Sequence, residues 1–130
     1  MENLGKRILV IEDEEPLQEL YNEVFSRKGH RVDVAGNGRI GFRKGVTFDY
    51  DIIVCDLHMP EWNGVEAIKS ILLVKPNCLF IVVTGYADKR IADELQAIPE
   101  VLKVFSKPAD MHSLLACISS ATAPHLGVDG

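Results

Sequence analysis

The chain has 130 residues, 47% of them apolar and 25% charged, and its 14 basic against 19 acidic side chains give a formal net charge of −5. That length and balance describe one soluble globular domain whose interior is large enough to fold without a metal or a disulfide. Net acidity argues against direct binding of nucleic acid, whose affinity comes from neutralising phosphates with Lys and Arg, and no run of about 18 apolar residues exists to span a membrane.

The first residues carry no signal-peptide pattern, because the apolar stretch that follows them is only Ile8–Ile11. Strand candidates then come at 7–11, 31–35, 52–56, 79–84 and 101–106, all rich in Val, Ile or Phe. Helical periods lie between them. Leu17, Leu20, Tyr21, Val24 and Phe25 share one spacing, Val65, Ile68, Ile71 and Leu72 another; Ile91, Leu95 and Ile98 mark a shorter helix, and Met111, Leu114, Leu115 and Ile118 close the series. Residues 38–46 are the weakest helix, since Ile40 and Phe42 do not share a face, although Asn37 is placed to cap it. Pro16 suits a first helical turn and Gly29 a helix end, while Pro60, Gly64, Pro76 and Pro108 fall between elements. Residues 1–121 are read as the domain and 122–130 as a flexible tail. Cys55, Cys78 and Cys117 are odd in number, widely spaced and in apolar context, as reduced thiols of a cytoplasmic protein would be.

Strict alternation of strand and helix with short connections implies an α/β fold, a parallel sheet covered on both faces. The first, third and fourth strands are continuously apolar and belong in the centre, whereas Arg31, Asp33 and Lys103 mark the second and fifth as edges. The order is therefore 2-1-3-4-5, the flavodoxin-like, doubly wound (βα)5 arrangement, whose ligand site lies beyond the carboxyl ends of the strands. Four strands end in reactive residues: Glu12-Asp13, Asp56, Thr84 and Lys107. Three converging carboxylates repel unless a cation holds them, and an oxygen-only set suits Mg²⁺, with Mn²⁺ possible, better than zinc. Lys107 and the Thr84 hydroxyl are what a phosphoryl group would require, with an aspartate as nucleophile. Each residue alone has a plainer reading: Glu12 and Asp13 as first-turn acids, Asp56 as a turn residue, Thr84 as a cap, Lys107 as a surface lysine. Their coincidence at one sheet edge favours the joint reading.

The segments Ile-Leu-Val-Ile-Glu-Asp-Glu at 8–14, Cys-Asp-Leu-His-Met-Pro at 55–60 with Gly64 after it, Val-Val-Thr-Gly-Tyr at 82–86 and Ser-Lys-Pro at 106–108 resemble the receiver domain of bacterial two-component response regulators. The match keeps that family's order and spacing over about residues 6–121. The resemblance implies that Asp56 accepts a phosphoryl group from a histidine kinase or histidine phosphotransfer protein. Glu12, Asp13, Asp56 and the backbone carbonyl of His58 would hold Mg²⁺, Thr84 and Lys107 would contact the phosphoryl group, and the Lys107–Pro108 bond would be cis. It also implies a downstream protein partner on the surface of the fourth helix, fifth strand and fifth helix, in a monomer or weak dimer that catalyses only its own phosphorylation and dephosphorylation.

This chain departs from the commonest pattern at several positions. Val104 stands where family members often carry a switching Tyr or Phe, and Phe105 alternates to the other face; Ala109 replaces a bulky apolar residue. His58 and Tyr86 occupy the two positions that modulate hydrolysis, and their bulk is expected to slow dephosphorylation. A haloacid dehalogenase-type phosphatase is disfavoured, because its second aspartate would fall where His58 stands and 130 residues leave no room for a cap domain. A flavodoxin is disfavoured by the acidic first loop. A receiver-like module that binds without phosphorylation is the third alternative, opposed by the intact set of five residues. The chain is either a stand-alone receiver or part of a longer regulator, with Met1 and the short tail favouring the first.

Overall fold

The computed structural model describes residues 5–56, 63–85 and 89–121. Five strands, β1 (Arg7–Ile11), β2 (Arg31–Ala35), β3 (Ile52–Cys55), β4 (Leu79–Thr84) and β5 (Val101–Ser106), alternate with five helices, α1 (Glu15–Arg27), α2 (Gly38–Thr47), α3 (Gly64–Val74), α4 (Lys89–Gln96) and α5 (Met111–Ser120). All strand pairs are parallel, in the order β2-β1-β3-β4-β5. This is the flavodoxin-like arrangement expected from the sequence.

Side chains alternate along each central strand, so consecutive residues feed two separate cores. Leu9, Ile11, Ile53, Cys55, Phe80 and Val82 pack with Ile68 and Ile71 of α3 and Leu95 of α4. On the other face Ile8, Val10, Ile52, Val54, Ile81 and Val83 meet Tyr21 and Phe25 of α1 and Leu114 and Ile118 of α5. Tyr21 and Phe25 stack with centroids 5.7 Å apart. Leu20, although it shares their helical spacing, is 40% exposed and lies outside this face.

Local punctuation sets the ends of the helices. Pro16 lies in the first turn of α1, and Gly29 follows its C-cap with φ of +91°. Asn37, Asn63 and Asp110 cap α2, α3 and α5 by accepting backbone N–H bonds from Ile40, Glu66 and Ser113. The spacing of Ile91, Leu95 and Ile98 overextends the fourth helix: α4 stops at Gln96, and Ile98 lies in the turn toward β5. Pro99 explains the difference, because a residue before proline is disfavoured in helical conformation. Ile98 is still buried, through that turn.

Helix α2 forms despite its poor apolar period because glycines make its inner face. Gly38, Gly41 and Gly45 are buried, and a Cβ on Gly41 would lie 2.5, 2.7 and 2.9 Å from three side-chain carbons of Ile11. The helix backbone therefore rests directly on β1, closer than any side chain would permit.

Strand β5 carries a register irregularity opposite Phe80 and Ile81: Phe80 pairs with Val101, and Ile81 with Lys103. Leu102 is the extra residue, and the in-out phase reverses across it. Val104 consequently packs, half-buried, on the α2–α3–α4 face, while Phe105 is buried on the α1–α5 face. The expected separation of these two side chains is observed.

The three cysteines are free, with Cys55 and Cys78 buried and Cys117 half-buried. Burial, aided by the Asp56 carboxylate for Cys55 and by Asp51 for Cys78, pushes both buried thiols up from 9.0 to about 12. Folded-state values above the unfolded ones mean that this stability is complete below pH 9.0 and is lost as pH rises toward 12. Urea unfolding between pH 8 and 10.5 should therefore show stability falling above pH 9.0, at up to about 1.4 kcal/mol per pH unit for each buried thiol. Cys55→Val should flatten that slope; an unchanged slope would show that Cys55 does not contribute.

Candidate functional site at the carboxyl edge of the sheet

The reactive residues stand at the carboxyl ends of β1, β3, β4 and β5. Glu12, Asp56 and Lys107 each follow a strand by one residue and remain hydrogen-bonded to the strand beside it. Glu12 donates its N–H to the Ala35 carbonyl at 3.0 Å, Asp56 to Ile11 at 3.1 Å and Lys107 to Thr84 at 3.0 Å. The sheet thus holds the backbone of each residue while its side chain projects over the edge. The Lys107–Pro108 bond is cis, as expected from the resemblance.

Glu12, Asp56 and Thr84 are the buried polar or charged side chains among the described residues, at 1%, 3% and 3% exposure. Asp13 is exposed, yet one carboxylate oxygen each from Glu12, Asp13 and Asp56 lie within 4.8 Å of one another. Lys107 Nζ sits among the carboxylates, 2.7 Å from Asp56 Oδ2, 3.3 Å from Glu12 Oε1 and 3.6 Å from Glu14 Oε2. Glu12 Oε2 also accepts the Glu14 N–H at 3.1 Å, and Gln18 Nε2 donates to the Glu12 carbonyl at 2.6 Å.

The electrostatics follow from this crowding. Burial raises the pKa of Glu12, the nearby Asp56 charge raises it further, and the bonds from Glu14 and Lys107 only partly offset them. Burial works against the charge on Lys107, but its bond to Asp56 and the charges of Asp56 and Glu12 outweigh that effect and hold it protonated. Lys107 contacts three carboxylates and Asp13 adds a fourth beside them, so the site retains excess negative charge. A hard divalent cation fits that excess and the all-oxygen donor set.

Glu12, Asp13, Asp56, Thr84 and Lys107 accordingly lie at the same sheet edge, where the strand order placed them. His58, with its backbone carbonyl, and Tyr86 lie outside the described residues, as does the expected tail at 122–130. Glu14 and Gln18 are part of the site and were not singled out by sequence. Glu14 had one signal, its place beside the acidic pair; Gln18 had none, since only the first turn of α1 brings it back to Glu12. An open cleft of about 540 Å³ between Asp49–Asp51 and Val74–Cys78 lies at the amino ends of β3 and β4, the opposite edge of the sheet. Its exposed Asp49 is already paired with Lys75, whose bond and charge lower its pKa.

The family model described as the response regulator receiver domain matches residues 8–119. The chain belongs to this receiver family. It is therefore a signalling domain of two-component systems, with an acidic pocket compatible with phosphorylation. The receiver is 32% identical over 92 residues to the chemotaxis protein CheY of Thermotoga maritima, covering 70% of this chain and 77% of that one. It is 25% identical over 111 residues to sporulation initiation phosphotransferase F of Bacillus subtilis, covering 85% and 89% respectively. Among solved structures it is similar to the response regulator TrrA of Thermotoga maritima in complex with Mg²⁺-BeF, with a TM-score of 0.73, 29% identity, and coverage of 85% of this chain and 94% of that one. Receiver domains interact with histidine kinases and downstream effectors. No helix among the described residues is long and apolar enough to cross a membrane.

Proposed function

We propose that Asp56 is the phosphoacceptor of a two-component phosphorelay, taking its phosphoryl group from a histidine kinase or histidine phosphotransfer protein. The observation that carries this reading is a nearly inaccessible Asp56 carboxylate held 2.7 Å from Lys107 beside the Glu12 and Asp13 oxygens. An Asp56 oxygen attacks phosphorus, the P–N bond of the donor phosphohistidine breaks, and the ring, already protonated on its other nitrogen, takes the electron pair and leaves as neutral imidazole. Lys107 then pairs with the new phosphoryl oxygens, and the Thr84 hydroxyl donates to another. Glu12, Asp13, Asp56 and the His58 carbonyl would hold Mg²⁺, or Mn²⁺, which when bound supplies positive charge to offset that of the phosphoryl group. The likeness to TrrA, whose structure contains Mg²⁺-BeF, supports that assignment.

In this reading residues 1–121 form a cytoplasmic receiver, monomeric or weakly dimeric, that catalyses only its own phosphorylation and dephosphorylation. Phosphorylation changes a partner-binding surface formed by α4, β5 and α5. Val104, packed at the side of β5 that faces α4, is the switch position and acts without an aromatic rotamer. His58 and Tyr86 shield the acyl phosphate, so a His58→Asn, Tyr86→Ala double variant should shorten its lifetime. Equal lifetimes would remove both residues from that role.

Incubation with acetyl phosphate and Mg²⁺, followed by intact-mass measurement, tests the central claim. Wild type should gain one phosphoryl group and Asp56→Asn none. An unmodified wild type would turn the assignment toward a receiver that binds its partners without phosphorylation.

A further inference from the structure

Glu14 is the charged site residue that the proposed transfer does not use. It is the N-cap of α1 yet makes no side-chain capping bond. Its carboxylate instead reaches Lys107 Nζ at 3.6 Å, while its N–H is given to Glu12 Oε2 at 3.1 Å. With 63% side-chain exposure against 2% for Glu12 and 3% for Asp56, Glu14 is the outermost of the three carboxylates on this lysine. A group entering from solvent toward the Asp56–Lys107 pair therefore meets the Glu14 charge near the pair.

We propose that Glu14 is a specificity-determining residue of this site: its carboxylate, held at the rim by Lys107, selects against small phosphodonors in proportion to their negative charge. The inference rests on Asp56 being the phosphoacceptor. Two effects act in the same direction. Glu14 repels an incoming dianion directly, and it occupies part of the Lys107 charge that would otherwise attract one. Both effects are Coulombic and act near the surface, so they weaken as salt is added. A donor protein presenting a phosphohistidine brings its own complementary surface, whereas a free small molecule has only its charge and shape.

The test compares two donors that modify the same atom. With acetyl phosphate, a dianion near neutral pH, an Asp56 oxygen bonds to phosphorus as the P–O bond breaks and acetate leaves with the electron pair. With phosphoramidate, a zwitterion of single net negative charge, the P–N bond breaks and ammonia leaves, carrying the protons already on nitrogen. The rate ratio of acetyl phosphate to phosphoramidate is measured for wild type, Glu14→Gln and Glu14→Lys at constant Mg²⁺, in low salt and in about 0.5 M salt. The ratio should rise about 3–10-fold in Glu14→Gln at low salt, rise further in Glu14→Lys, and return toward the wild-type value at high salt. Calorimetric titration with Mg²⁺ and thermal unfolding accompany the rates. Glu14→Gln should change each far less than Asp13→Asn changes Mg²⁺ affinity.

A ratio equal to that of wild type in both variants would overturn the role of Glu14, and so would a rise that persists unchanged at high salt. Failure of wild type to be modified by either donor would instead overturn the assignment of Asp56.

Discussion

Lys107→Met is expected to lower the stability of the metal-free protein by about 3–5 kcal/mol, the cost typical of removing one partner from a buried charge cluster. The physical reason lies in the burial of its partners. Glu12 and Asp56 are 1% and 3% exposed, and water cannot replace the lysine around carboxylates held there. The loss should depend on pH. Burial already raises Glu12 above 4.5, and removing the lysine raises it further. A folded-state value above the unfolded one contributes stability that is present below the unfolded pKa and is lost as pH rises through the folded pKa. The variant should thus be weakest near neutral pH and recover toward pH 4.5 as Glu12 takes up a proton. Divalent cation should act in the same sense: saturating Mg²⁺, about 100 times its dissociation constant, adds about 2.7 kcal/mol to any state that binds it. At one common Mg²⁺ concentration, urea midpoints should shift more in Lys107→Met, which binds the cation more tightly without the competing lysine charge, than in wild type. An equal shift in both would show that lysine and metal do not balance the same carboxylates.

Gly41→Val is the second large effect, expected to destabilise by about 3 kcal/mol or more, with Gly41→Ala lower at about 1–3. A Cβ there would lie within 3.0 Å of Cδ1, Cγ1 and Cγ2 of Ile11, so no single rotation of that β-branched side chain removes the conflict. The helix gains about 1 kcal/mol from exchanging Gly for Ala, which offsets only part of the strain. Gly45→Ala provides the internal control. Its nearest atoms, at 3.0 and 3.3 Å, are the Cδ1 ends of Ile71 and Ile53, and the same helix gain should leave that variant within about 1 kcal/mol of wild type. Ile11 precedes Glu12 directly, so Gly41→Val should also weaken Mg²⁺ binding, measurable by calorimetry under conditions where the variant is folded. If both glycine variants unfold at the same urea concentration as wild type, the close approach of α2 to β1 has no energetic weight.

The sheet was legible because its signals are local. Continuous apolar runs at Ile8–Ile11, Ile52–Cys55 and Leu79–Val83 state burial on both faces, charges at Arg31, Asp33 and Lys103 state an edge, and these placements yield the strand order. The polar residues that end four of the strands then fall at one edge. Helix α2 was less legible for a physical reason: its buried face is made of Gly38, Gly41 and Gly45, and a count of apolar side chains cannot register a contact made by backbone. Ile98 misled in the opposite sense, being apolar at a helical interval but buried by a turn that Pro99 imposes. Asn37 was readable as a cap because it precedes its helix directly. Gln18 was not readable as a site residue because its contact with Glu12 depends on the path of the chain between them.

The sequence by itself determined the class of fold, the strand order, and the convergence of Glu12, Asp13, Asp56, Thr84 and Lys107, since each follows from patterns within a few residues and from the rules of parallel sheets. Tertiary structure alone decided that Lys107 is shared among Glu12, Glu14 and Asp56, and that the irregularity at Leu102 gives Val104 to the α2–α3–α4 face and Phe105 to the α1–α5 face. Those outcomes turn on distances of a few ångströms between side chains from separate strands and on a single residue of register, quantities that local periodicity does not contain.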